Sequence, residues 1–254
     1  MPDVSLAELA LLALISLAAG TVDAIAGGGG LLTVPALLWV GLPPHVALAT
    51  NKGQSVFGSF AALVRFARGG LVDRARALVT FPLGFAGSLA GAALVLVVPP
   101  ETLRPLVLAL LVLAALFVAL RPPPRAPAGD PPPRRRASLL AAAVALGVGA
   151  YDGFFGPGTG TLLIVGFVAL LGDGLARASG SAKVVNFASN LAAMLLFAAK
   201  GAVEWRLALP MAAAQLAGGW TGAHIAVRRG DAVVRRVVVA VALAAAARLA
   251  WDMR

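Results

Sequence analysis

Residues 20–30, GTVDAIAGGGG, and residues 149–160, GAYDGFFGPGTG, decide how this chain folds. Each lies inside an apolar run and carries an aspartate just ahead of a glycine cluster. Glycine costs a helix about 1 kcal/mol per residue relative to alanine, so each cluster marks a break in a helix. A shift of 129 lays Gly20, Asp23 and Gly27 on Gly149, Asp152 and Gly156. A shift of 131 continues the match, with Lys52 on Lys183, Ser55 on Asn186 and Ser59 on Asn190. It also lays Gly70, Gly87, Gly91 and Arg104 on Gly201, Gly218, Gly222 and Arg235. The chain therefore reads as two repeats, residues 1–120 and 137–254. The linker between them, 121–136, is RPPPRAPAGDPPPRRR.

The surroundings of these breaks set the class. Of 254 residues, 60% are hydrophobic and only 13% charged, and mean hydropathy is +0.91. Soluble domains run near 45–50% apolar and about 25% charged, and a globule of this size has no room to hide the excess from water. The expected fold is an all-α polytopic membrane protein. The net charge of +10 would point to nucleic acid in a soluble chain. Here the arginines cluster in short stretches between apolar runs, the pattern of the positive-inside rule, so no nucleic-acid partner is expected. With no cysteine, disulfides, zinc–thiolate sites and redox thiols are excluded. Met1-Pro2-Asp3 provides no basic start for a signal peptide, so the first run is expected to stay as a membrane helix.

Apolar runs fall at about 5–26, 29–40, 44–66, 75–98, 103–120, 138–155, 159–171, 175–198, 206–227 and 233–250. This predicts about eight to ten helical segments. Two of them are shorter than the ~20 residues that span a bilayer. Loop charges predict the topology. The 65–76 loop, the proline linker and the 228–236 loop are arginine-rich and read as inside. The 99–104 turn and the 200–206 loop read as outside, as do both termini. Each half then crosses an odd number of times, so the repeats are inverted, a plan that recurs in secondary transporters. Short Gly-interrupted segments at matching positions point to the binding site of such a carrier. They favour a broken hairpin in each half, followed by full-length helices.

Three constellations carry the chemistry. In the glycine clusters, the half-helices that follow Gly30 and Gly158-Thr159 would aim their N-terminal amides at an anion. The alternative there is close helix packing. No Gly-Lys-Ser/Thr follows, which excludes a P-loop. The second constellation is Asn51-Lys52 with Ser55, matched by Lys183 with Asn186 and Asn190. The chain has 18 arginines and three lysines, and two of the lysines are repeat-equivalent. A charge inside a membrane costs ~2.5–3.5 kcal/mol or more and marks function by default; snorkelling to an interface is the alternative. Asn186, Ser189 and Asn190 share one helical stripe. The third is Asp23 with Asp152, candidate carriers of a coupling proton, which could instead cap the broken helices or pair with the lysines. Gly87-xxx-Gly91 and Gly218-xxx-Gly222 read as packing faces, and Gln215 as a lining residue. His45 and His224 lack a ligand cluster, so no metal or cofactor is expected.

The stretches 20–52, GTVDAIAGGGGLLTVPALLWVGLPPHVALATNK, and 151–164, YDGFFGPGTGTLLI, resemble the repeat signatures of the sulfite exporter TauE/SafE family. So do SAKVVNFASN at 181–190 and GAVEW at 201–205. The resemblance spans essentially the whole chain. It implies a multi-pass permease of a bacterial inner membrane for small sulfur-containing anions such as sulfite or organosulfonates. The expected site gathers Lys52, Lys183, Asn51, Ser55, Asn186, Asn190 and the amides near Gly30 and Gly158 around the anion. The expected partners are that anion, the lipid bilayer, and a coupling proton or cation. Rival readings are an anion channel and a carrier for a non-sulfur anion. An enzyme is not expected, because no His, Asp or Glu constellation gathers on facing helices. Oligomeric state, direction and exact substrate are not legible.

Overall fold

The computed structural model describes residues 4–120 and 132–229. Among them it contains nine helices and no strand. The first half holds α1 (Leu6–Ala26), α2 (Gly30–Trp39), α3 (Pro44–Arg68), α4 (Arg74–Val97) and α5 (Pro100–Leu120). The second holds α6 (Arg134–Phe154), α7 (Thr159–Leu171), α8 (Leu175–Ala199) and α9 (Trp205–Arg229). The apolar run at 233–250, the basic loop beyond Arg229 and the C-terminus lie outside the described residues, as does most of the linker; Arg228 and Arg229, expected in that loop, are the last residues of α9.

The chain is an all-α polytopic membrane protein. Five helices, α1, α4, α5, α6 and α8, are long and apolar enough to cross a bilayer. α2 and α7, with 10 and 13 residues, are the short segments. Local chemistry places the ends. Ser5 and Glu8 form a capping box on α1, and Asp73 caps α4 by accepting from the Arg76 amide at 3.1 Å. Gly27 ends α1 with φ 74°, a conformation that side chains disfavour. α6 begins at Arg134, inside the stretch assigned above to the linker. Pro133 stops further winding upstream, while the three arginines are good helix formers and continue into the helix.

The bundle is woven from both halves. α9 packs on α1 and α4 on α6, while α3 and α8 sit inside. The GxxxG faces create these contacts. A methyl group at Gly218 would collide with the Leu17 carbonyl, and one at Gly222 with the Thr21 carbonyl. In the other half, Gly87 meets Leu146 and Gly91 meets Ala150. These are the same positions, offset by 131 and 129. Small residues allow such close approach between membrane helices. The sequence repeat is thus also a repeat of contacts. The two helix breaks meet within the bundle: the Thr161 amide donates to the Gly27 carbonyl at 2.9 Å.

Candidate functional site: crosswise ion pairs in a polar cavity

α3 and α8 carry buried polar side chains that an outer membrane helix could not bear. Lys52 is 2% exposed and Lys183 is fully buried. Each lies eight residues into its helix, ~12 Å along the axis at 1.5 Å per residue.

Each lysine finds its counter-ion in the other half. Lys52 Nζ lies 2.8 Å from Asp152 Oδ1, and Lys183 Nζ lies 2.7 Å from Asp23 Oδ2. The pairs share a repeat position but differ in their other bonds. Lys52 also donates to Asn190 Oδ1 at 3.0 Å, and Ser189 Oγ donates to Asp152 Oδ2. All of these partners are side chains. Lys183 instead donates to the main-chain carbonyl of Asp23 at 2.6 Å. Asp23 Oδ1 accepts from the Gly29 amide at 3.3 Å. The Lys183–Asp23 pair is therefore tied into the first helix break by the backbone.

A small polar cavity lies against these groups, lined by Asp23, Gly30, Asn51, Lys52, Ser55, Asp152, Gly156, Asn186, Asn190 and Gln215. About 20 Å³ of it is open to the centre of a water-sized solute, room for roughly one water. Asn51 is held by Thr33, which donates to its Oδ1 at 2.6 Å, and by Gln54 Nε2 at 3.0 Å. Gln215 is 3% exposed, and its Oε1 has no hydrogen-bond partner among the described residues. Buried polar atoms are nearly always satisfied, so an unsatisfied amide on the cavity wall points to a polar solute there.

At one end of the bundle, Arg76 pairs with Asp173, and Arg177 lies 3.9 Å from Asp73. These contacts bridge the α3–α4 loop and the α7–α8 loop. At the repeat-related end, around the α2–α3 turn, the contacts are apolar: Leu42, Val46, Leu207 and Met211 pack together.

The model of the sulfite exporter TauE/SafE family matches residues 12–249. The chain belongs to that family. A probable membrane transporter protein of Sinorhizobium, ORF9, is 37% identical over 99% of this chain and 96% of its own length. YfcA of Escherichia coli K12, also called a probable membrane transporter protein, is 37% identical over 96% and 90%. A probable membrane transporter protein of Haemophilus influenzae is 34% identical over 98% and 97%. No solved structure matches the chain. Membership sets the chain among membrane transporters rather than enzymes.

In this TauE/SafE member, Lys52, Asn51, Ser55, Asn186, Asn190, Gly30, Asp23 and Asp152 come together around one cavity. Lys183 does not reach its wall and stands behind Asp23. Gly158 and Thr159 are also off the wall, where Gly156 takes their place. Thr159 Oγ1 turns back to donate to the Gly156 carbonyl at 2.6 Å. Of the two structural alternatives to proton carriage weighed for the aspartates, lysine pairing holds for both, and a bond to the break itself holds for Asp23. The crosswise partnership was not readable beforehand, because no spacing within one repeat encodes a contact with the other. Ser189 had a signal, its place on the Asn186–Asn190 stripe. The Arg76–Asp173 contact had none.

Proposed function

We propose that this chain is a secondary carrier for small sulfur-containing anions, sulfite or an organosulfonate. In this reading it works by alternating access between two inverted repeats in a bacterial inner membrane, with its termini on the periplasmic side. The observation that carries the reading is Lys52, a buried cation on the wall of a polar cavity inside an apolar bundle. Its counter-ion is one that a solute can replace.

Lys52 supplies the charge for the anion, and Asn51, Ser55, Asn186, Asn190 and Gln215 supply neutral contacts. Sulfite and sulfonate groups present several acceptor oxygens, which suit convergent donors, and charge-assisted hydrogen bonds are the strong ones. Lys183 keeps Asp23 and the first helix break in place. The contact repeat supports rocking of one half against the other. The sulfur chemistry rests on the family; the cavity supports an anion. Broken helices in both halves that meet beside the site favour a carrier over a channel.

The test is a thermal-shift screen of the purified protein in detergent. The panel is sulfite, thiosulfate, sulfate, methanesulfonate, a carboxylate and a cation. At 100 times its Kd a ligand stabilises the fold by about 2.7 kcal/mol. A sulfur anion should raise the unfolding midpoint, and Lys52→Gln should abolish the rise. A rise with a carboxylate alone would refute the sulfur assignment, and a rise with the cation alone would refute the anion reading.

A further inference from the structure

The charges at the cavity sum to zero as they stand. Asp152 balances Lys52, and Asp23 balances Lys183. The cavity has room for roughly one water beside these pairs, while a sulfite or sulfonate group brings several heavy atoms. An arriving anion that pairs with the Lys52 ammonium therefore competes for it with the Asp152 carboxylate, and takes that place by displacing it. Displacement leaves one more negative charge than positive in a site that is almost wholly buried. Buried charge without a partner is strongly unfavourable, and a proton on the freed carboxylate removes it.

The two pairs differ in their capacity to do this. Lys52–Asp152 is held by side chains alone, with Asn190 on the lysine and Ser189 on the aspartate. Rotations about side-chain bonds can separate it. Lys183 is bonded to the Asp23 main-chain carbonyl, and Asp23 to the Gly29 amide. Separating that pair would disturb the helix break itself. Lys52 stands on the cavity wall and Lys183 does not.

We propose that anion binding and protonation of Asp152 are one linked event, so that the carrier moves a monoanion together with one proton. The inference rests on the anion-carrier reading above. The balance is simple. The Lys52–Asp152 ion pair is exchanged for a Lys52–anion pair, and one proton passes from water to a carboxylate oxygen of Asp152. Lys52 keeps its charge. Lys52 from α3 and Ser189 from α8 touch Asp152 directly, Tyr151 adjoins it on α6, and Asp23 from α1, Asn186 and Asn190 from α8 and Gln215 from α9 line the same cavity. Lys183 neutralises Asp23, so Asp152 is the carboxylate left to take the proton. Transport is then electrically neutral and driven by a pH gradient.

The test is isothermal titration of the purified, full-length protein with methanesulfonate and, separately, sulfite. It is run at one pH in imidazole, Bis-Tris and Tris, none of which carries a sulfonate. The slope of binding heat against buffer ionisation heat counts the protons taken up. Methanesulfonate stays ionised, so its protons go to the protein; for sulfite, the ligand's own titration is subtracted. The expected uptake is about one proton per anion, falling to about zero in Asp152→Asn while binding persists. Lys200→Gln, far from the cavity, should leave the uptake unchanged. Binding without proton uptake, or full uptake in Asp152→Asn, would overturn the coupling alone. No binding of either anion would overturn the carrier reading, and the coupling with it.

Discussion

Breaking one buried ion pair, and then the wrong one, tests the crosswise site most directly. Lys52 and Asp152 are 2% and 1% exposed. Lys52→Met leaves the Asp152 carboxylate with Ser189 as its one remaining partner among the described residues and strips Asn190 Oδ1 of its donor. Removing one member of a buried pair costs about 3–5 kcal/mol, because the other charge stays behind. Removing both members often costs little, or even stabilises by 1–4 kcal/mol. Lys52→Met should therefore lose about 4 kcal/mol and Asp152→Asn about 3 kcal/mol, while the double variant should fall within about 1 kcal/mol of the parent. The coupling energy is then several kcal/mol, well above the ~0.5 kcal/mol expected of independent sites. At roughly 2–4 °C per kcal/mol, each single variant unfolds roughly 10 °C below the parent, read as a thermal midpoint in detergent. The comparison that decides is Lys52→Met with Asp23→Asn. Those residues belong to different pairs, and their coupling should be clearly smaller. Single variants with the parent's midpoint, or a stronger coupling of Lys52 to Asp23, would refute the pairing.

Asn190→Leu removes the neutral partner of Lys52. It should weaken sulfur-anion binding about tenfold, since a hydrogen bond to a charged group contributes ~1.5–3 kcal/mol; titration calorimetry reads this as Kd. Gly91→Val and Gly222→Val should each prevent accumulation of folded protein, because their side chains would meet the Ala150 and Thr21 carbonyls. Gly147→Ala meets no atom and should stabilise α6 by about 0.5–1 kcal/mol; size-exclusion profiles and unfolding midpoints distinguish the cases. Arg76→Gln should loosen the end that Asp173 holds. The chain has no cysteine, so Ser179→Cys, buried in α8 near that end, gives a clean reporter. Its labelling by a membrane-impermeant maleimide should speed up several-fold when Arg76→Gln is added, and an unchanged rate would show that the Arg76–Asp173 pair does not hold that end.

The helices were legible because membrane segments announce themselves by length. The run at 159–171 and α7 agree at both ends, since Gly158 and Gly172 adopt positive φ there and punctuate the sequence as they punctuate the backbone. α6 begins inside the stretch that the sequence marks as linker, because the arginines that look like linker chemistry are also good helix formers. At the site, residue type identified the participants. A lysine deep in an apolar run has few reasons to exist, and both such lysines are paired with the repeat-equivalent aspartates. Residue type did not identify the partners. By equivalence alone, Lys52 could have paired with Asp23, the carboxylate of its own half. Spacing encodes contacts along one helix, whereas these contacts depend on how α3 and α8 cross. The same limit hid the inequality of the two lysines, which arises from Lys183 turning to the Asp23 carbonyl.

That inequality has a mechanical meaning. Each half alone would bury a lysine and an aspartate that the crosswise geometry separates, so neither half can neutralise its own charges in place. Under the proposed alternating access, movement of one half against the other strains a crosswise pair unless a solute takes over one partner. The Lys183–Asp23 pair is bonded into backbone on the α1 side, which makes it the pivot that resists separation. The Lys52–Asp152 pair is the one a solute can enter. In the proposed cycle the anion therefore acts as cargo and also as the substitute counter-ion that frees the halves to move. In the same proposed cycle, with no such solute bound, the protein's own carboxylate holds the halves together and the carrier does not leak.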